Sequence, residues 1–312
     1  MTGRNYSRFR EDVIHLSFKE KIKSYWELTK PDITFLILIS TFLGYFLGVK
    51  FVGGNIFGNP LILLHLLIGS ILSSSGVAIL NEYIERDQDA IMNRTSKRPL
   101  PSGRISPKSA LIFGITVSVM GVLELALLVN LYSGILSFIT IAFYLFVYTP
   151  MKQKSPWNTL IGAIPGALPP VGGWLAATGN ITSQTLGVFC ILFFWQIPHF
   201  FSIAWLYKTD YKKAGFKMFM SDANDQFRSN IIMVGFCILT LVFSLSLFPP
   251  PIVSMTLICI VATVIMGLLY VFAAMQMAMK HCKKNARRLL FVSIIYIPSI
   301  LIILVTGNLV YT

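Results

Sequence analysis

Nine apolar runs, each long enough to cross a hydrocarbon core about 30 Å thick, dominate this chain of 312 residues. They fall at 33–52, 60–80, 108–130, 132–150, 157–178, 184–206, 229–248, 253–279 and 289–309. The bilayer offers no water to satisfy peptide groups, so runs of this kind must cross as helices. The expected fold is an all-α integral membrane bundle. Composition agrees: 55% of residues are hydrophobic and 12% charged, about half the charged share of a soluble domain. Cys190, Cys237, Cys259 and Cys282 lie scattered in or beside apolar runs with no CxxC pair, so neither a metal cage nor a disulfide framework is indicated.

Charge placement gives the expected orientation. With the amino terminus inside, the inner segments are 1–32, 81–108, 151–156, 207–228 and 280–288, and they hold every Lys and Arg except Lys50. This is the positive-inside pattern in strong form; nine crossings then put the carboxyl terminus outside. The net charge of +13 is accounted for by topology and anionic lipid, so no nucleic-acid partner is expected. Residues 1–32 lack the apolar core of a signal peptide, and Glu11, Asp12, Glu20 and Glu27 argue against a transit peptide. Val13, Ile14, Leu16, Phe18, Ile22, Tyr25, Trp26 and Leu28 among lysines read as an amphipathic cytoplasmic helix at the interface. Residues 33–312 form the nine-helix domain, expected in a bacterial cytoplasmic membrane.

Only 13 acidic residues occur, and Glu82, Glu85, Asp87 and Asp89 are four of them. They continue the second span, so the helix is expected to run on past the interface. Positions four apart differ by about 40° on a helix, which puts Asn81, Glu85 and Asp89 on one face. Three oxygen donors in a row suit a hard divalent cation such as Mg²⁺; a solvated helix end is an equal reading of the segment alone. Asp87 points elsewhere, as an outer group or a partner of Arg86. The loop Arg94-Thr95-Ser96-Lys97-Arg98-Pro99-Leu100-Pro101-Ser102-Gly103-Arg104 favours the metal reading, because carboxylates and cations together clamp a phosphate. For the basic residues alone, topology and lipid contact explain them equally well.

A second polar cluster follows the sixth span, from Tyr207 through Asp210 and Tyr211 to Gly215. Asp210 is a candidate second metal ligand, and Tyr207 or Tyr211 a phosphate donor, although Tyr and Lys favour membrane interfaces on physical grounds alone. Within the spans, His199 is a candidate for ligating iron or moving a proton, against a nearly equal packing role. Gly162, Pro165, Gly166, Pro169, Pro170, Gly172 and Gly173 break the fifth span, as is tolerated where backbone lines a cavity. A buried hydrogen bond is the expectation for Glu124.

These residues resemble a family. Asn81-x3-Glu85-x3-Asp89, then Arg94-Thr95-x2-Arg98-Pro99-Leu100 and Gly103, are similar to the first aspartate-rich motif of the UbiA superfamily of intramembrane prenyltransferases. Three stretches narrow the resemblance to its haem-farnesylating branch: Tyr83-Ile84-x-Arg86-Asp87-x-Asp89 with Met92, Trp195 through Phe200, and Asp210-Tyr211-x2-Ala214-Gly215-Phe216. Leu28-Thr29-Lys30-Pro31, Tyr148-Thr149 and Asn158 through Trp174 extend it over nearly the whole chain from residue 28. The resemblance implies a UbiA-type bundle around a central cavity. It also implies transfer of farnesyl from farnesyl diphosphate to a vinyl group of haem B, with addition of water, giving haem O and diphosphate for oxidase biogenesis. By position, Asn81, Glu85 and Asp89 would bind the first Mg²⁺, and Asp210 with Tyr207 and Tyr211 matches the second motif. Arg94, Arg98 and Lys152 would neutralise the departing diphosphate, and His199 would contact haem. A haem-handing protein in oxidase assembly is the partner implied. Two positions depart from the pattern: Glu85 stands where the family usually has Asp, and Asp32 where a basic residue is common. A rival class, the secondary transporter, would place its polar site near the midplane, whereas nearly all acidic groups here lie at one surface.

Overall fold

The computed structural model describes residues 16–219, 226–248 and 254–309, so Val13 and Ile14 of the amino-terminal segment lie outside it. The described residues are helical with no strand, and they hold nine helical segments long and apolar enough to cross a membrane. The chain opens with α1 (Phe18–Leu28), α2 (Pro31–Phe51), α3 (Pro60–Ile91) and α4 (Pro107–Leu128). The fourth span combines α5 (Leu131–Ala142), a π-helical segment (Phe143–Tyr148) and α6 (Thr149–Lys154). The fifth joins α7 (Asn158–Ala167) to α8 (Pro169–Thr178), and α9 (Ser183–Leu206) is the sixth. The short α10 (Lys208–Lys213) precedes α11 (Gln226–Ser246), α12 (Ser254–Met279) and α13 (Lys283–Leu309).

Helix ends follow local chemistry. Pro31, Pro60 and Pro107 sit in the first turns of their helices, where a missing N–H costs nothing. Ser17 and Glu20 form a capping box on α1, and Asn130 Oδ1 accepts the Ser133 N–H at 2.8 Å to start α5. The α3 helix has 32 residues, about 48 Å at 1.5 Å per residue. That exceeds the hydrocarbon core, so its last turns project as the sequence predicts. The break of the fifth span falls at Leu168.

The boundary that departs most from expectation is the start of α13. The sequence places residues 280–288 in a loop, but α13 begins at Lys283, six residues before the expected span. Long cationic side chains carry apolar stems and reach water from a helix, so Lys and Arg do not end one.

Glu124 makes the hydrogen bond expected of it, in a partly buried site: His65 Nδ1 lies 2.8 Å from Glu124 Oε1, joining α3 to α4. All four cysteines are free, in keeping with scattered apolar positions. The α1 helix turns Leu28 and Ser24 inward while Phe18, Ile22 and Trp26 remain exposed along one stripe. Its Leu28 packs with Ile79, Leu100, Ile105 and Ala110.

Two groups of helices meet in the bundle. The α9, α11, α12 and α13 group is solidly packed around Phe201, Met233, Tyr270, Met277 and Tyr296. On the other side, α2 and α8 approach so closely that a Cβ on Gly44 would stand 1.8 Å from Pro170 O, and one on Gly173 2.0 Å from Thr41 O. Replacing Gly44 by Leu therefore costs at least about 1–3 kcal/mol from overpacking, seen as earlier thermal unfolding in detergent. Gly235→Ala, whose Cβ would enter open space, leaves the transition unchanged or later.

Candidate functional site

The projecting end of α3 carries a concentration of buried charge. Asn81, Glu82, Glu85 and Asp89 are 4%, 1%, 6% and 1% exposed. Carboxylates so buried require partners, and they find them on two elements, the loop after α3 and α6. Arg98 Nη1, from the loop after α3, lies 2.6 Å from Asp89 Oδ2. Lys152 Nζ, from α6, lies 2.7 Å from Glu85 Oε1. The Leu100 N–H donates to Glu82 Oε1 at 3.1 Å. Asn81 Nδ2 donates to Thr149 Oγ1 at 3.2 Å.

The loop between α3 and α4 folds back over these groups. Thr95 Oγ1 donates to the Asp89 carbonyl at 2.9 Å, and Ser102 Oγ to the Arg98 carbonyl at 2.6 Å. Gly103 takes φ of 74° to close the turn. Arg104 joins Glu27 of α1 at 2.6 Å, tying the amino-terminal helix to the same loop. Lys30, half-buried at the start of α2, adopts φ of 48°, a left-handed conformation that L side chains adopt at a cost. Burial, followed by repulsion from Arg98, holds its ammonium down to about 8, against the attraction of Glu82, Asp89 and Glu85.

The second polar loop completes a cap. Met92 packs with Ala214 and Phe216. Arg94 Nη2 donates to the Tyr211 hydroxyl at 3.3 Å, and its guanidinium lies 5.2 Å from the Tyr207 ring centre. Lys152 Nζ lies 4.7 Å from the Tyr148 ring centre and 5.9 Å from that of Phe216. The Lys217 N–H donates to Lys152 O at 2.7 Å, and Asn158 Nδ2 to Lys217 O at 2.6 Å. The two polar loops thus share one face and one cap.

Beneath the cap an apolar cavity of about 1000 Å³, its open mouth included, runs between α2, α3, α5 and the α7–α8 break. Lys30 and Tyr144 line its polar end; Leu66 and Leu125 line the far end. Ser137 Oγ donates to Ser73 Oγ at 2.8 Å on its wall.

Of the residues singled out in the sequence, Asn81, Glu85, Asp89, Arg98 and Lys152 converge, and Arg94, Tyr207 and Tyr211 form the adjoining edge. Asp210 does not join them as a ready-made cluster: among the described residues no three His, Cys, Asp or Glu side chains converge to hold a metal ion. His199 does not line the cavity. It lies on α9 against α13, with Nδ1 2.8 Å from Ser293 Oγ and its ring stacked on Trp195 at 5.2 Å. Ser293 Oγ already donates to Leu290 O at 2.6 Å. A hydroxyl has one proton, so His199 Nδ1 is the donor and Nε2 keeps its lone pair. Lys30, Glu82 and Thr149 enter the site without having been assigned to it from the sequence. For Lys30 the signal was a Lys-Pro pair directly before a span.

A polar, cation-rich cap over an apolar intramembrane cavity suits a lipid chain with an anionic head. The UbiA prenyltransferase family profile matches residues 37–295. A protoheme IX farnesyltransferase of Solibacter usitatus is 41% identical over 290 residues, covering 89% of this chain and 96% of that protein. One of Koribacter versatilis is 36% identical, covering 89% and 90%. In structure, a digeranylgeranylglyceryl phosphate synthase has a TM-score of 0.74 at 18% identity, covering 93% of this chain and 99% of that one. A UbiA homologue from Archaeoglobus fulgidus bound to GPP and Mg²⁺ has a TM-score of 0.60 at 16% identity, covering 90% and 99%. The chain belongs to the UbiA prenyltransferase family and is a multi-pass membrane prenyltransferase. Several relatives that match about nine-tenths of the chain are named protoheme IX farnesyltransferase.

Glu82 is the anchor that folds the loop onto α3. Glu82→Leu strands the Leu100 N–H and lowers stability by about 1–3 kcal/mol, with faster deuterium exchange across residues 92–106. Glu82→Gln, which keeps an acceptor, gives the smaller loss in both measurements.

Proposed function

We propose that this protein transfers the farnesyl group of farnesyl diphosphate to a vinyl group of haem B, with addition of water, giving haem O and diphosphate. The carrying observation is the buried Asn81–Glu85–Asp89 face, matched by Arg98 and Lys152, at the polar end of an apolar cavity. Full-length relatives named protoheme IX farnesyltransferase support haem as the acceptor.

The donor set fits a hard divalent cation. Asn81, Glu85 and Asp89 each offer a side-chain oxygen, and the buried Glu85 Oε1 is paired with the Lys152 ammonium at 2.7 Å. These three residues would hold Mg²⁺, with Asp210 serving a second ion. Bound there, the metal would neutralise negative charge developing on the leaving diphosphate. Arg94, Arg98 and Lys152 supply fixed positive charge to the same oxygens, with Tyr207 and Tyr211 as hydroxyl donors. Arg98 and Lys152 are held in place by the carboxylates beforehand, so little reorganisation accompanies bond breaking. As the allylic carbon–oxygen bond breaks, the farnesyl carbon bonds the terminal vinyl carbon; water adds its hydroxyl to the inner carbon and releases a proton. The Tyr144 ring and the cavity wall keep water from the farnesyl cation until the acceptor reacts.

His199, its Nε2 left unprotonated by the Ser293 contact at Nδ1, is the proposed haem contact. Ligating histidines characteristically donate their other ring N–H in this way. The polar cap lies on the cytoplasmic side of the bacterial inner membrane, with α1 along the interface on its Phe18, Ile22 and Trp26 stripe. The product serves haem–copper oxidase assembly through a haem-handing partner.

Membranes given haem B, farnesyl diphosphate and Mg²⁺ should yield farnesylated haem detectable by mass. Asp89→Ala is expected to lower turnover by about 10²-fold or more, and chelation to abolish it. His199→Ala is expected to lose the Soret change on haem titration; a variant that titrates as wild type removes His199 from the haem site. Absence of the product from the wild type refutes the reaction.

A further inference from the structure

The fourth span leaves α-helical geometry from Phe143 to Tyr148, immediately before the cap. There the Thr149 N–H reaches the Tyr144 carbonyl, five residues back. Such π turns are rare, are costly in isolation and concentrate at functional sites. The same carbonyl also accepts the Thr149 hydroxyl at 2.9 Å, filling both its lone pairs. Thr149 and Asn81 are 3% and 4% exposed, so neither opens to bulk solvent.

The proton count decides which way Asn81 faces. Thr149 has one hydroxyl proton, and it is committed to Tyr144 O. Toward Asn81, at 3.2 Å, the hydroxyl therefore acts only as an acceptor. The amide NH₂ of Asn81 is the group that satisfies it; a flipped amide would set two acceptors against each other. Asn81 Oδ1 is accordingly turned away from Thr149, and among the described residues no hydrogen bond engages it. We propose that Thr149 is a positioning residue, built on the π turn, that fixes the Asn81 amide so that its oxygen serves as a cation ligand. This rests on the reading of Asn81 as a ligand, and it explains why the fourth span gives up regular geometry at this level.

The test reads metal binding directly. Full-length protein in detergent, with inorganic diphosphate present, is titrated with Mn²⁺ by electron paramagnetic resonance. Thr149→Val keeps the shape of the side chain without its hydroxyl and is expected to weaken Mn²⁺ binding roughly three- to tenfold, the scale of one hydrogen bond. Thr149→Ser restores affinity to within about twofold, which loss of packing alone would not predict. In an Asn81→Ala background, Thr149→Val adds no further loss, because its effect passes through Asn81. Wild-type affinity in Thr149→Val, or an additive loss in the double variant, overturns the assignment while leaving Asn81 as a ligand. If Asn81→Ala binds Mn²⁺ as the wild type does, the ligand reading fails and this inference with it. Should Thr149→Val fold poorly, Thr149→Ala and its double with Asn81→Ala give the same comparison.

Discussion

Placing Glu82, Glu85 and Asp89 out of water at the end of α3 is the arrangement on which the cap depends. Taking a carboxylate from water costs several kcal/mol even after relaxation, and removing one partner of a buried pair costs about 3–5 kcal/mol. The carboxylates recruit their counterparts from two stretches of chain: Arg98 and the Leu100 N–H from the loop, Lys152 from α6. Lys30, at the head of α2, adds its field. Electrostatic need thereby organises distant segments around one helix end. The folding requirement and the binding requirement are met by the same atoms.

The two groups of helices have different tasks. Packing among α9, α11, α12 and α13 is dense and aromatic, with Tyr270 donating to Trp195 O at 2.8 Å and Trp195 Nε1 to Ser293 O at 2.7 Å. This network holds the His199 ring. The other side keeps an open interior, its walls tied by Asn130 Nδ2 to Leu175 O at 3.0 Å and by Ser137 to Ser73. Rigid scaffolding thus stands beside empty space, as an enzyme confining a reactive chain requires.

Much of this was legible in the sequence because the bilayer leaves few choices. Helices are forced on the spans, and helical periodicity sets Asn81, Glu85 and Asp89 on one face before any tertiary contact forms. What was not legible depends on meetings across the chain. Glu82 lies beside Asn81 in sequence, yet its role is set by a loop 18 residues on. Thr149 reaches Asn81 over a separation of 68 residues, and only after a π turn that no periodicity announces. The Ser293 partner of His199 lies 94 residues away, so its tautomer was unreadable. The early start of α13 was hidden because its cations resemble a loop.

The contact of Gly44 with Pro170 and of Gly173 with Thr41 has a mechanical corollary. Backbone rests on backbone there, with no side chain between to rotate, compress or be exchanged. The α2–α8 pair consequently behaves as one stiff plank, and the cavity cannot widen on that flank by repacking. Adaptation to guests of different bulk falls to the wall built from α3 and α5, where small hydroxylated side chains leave room to give.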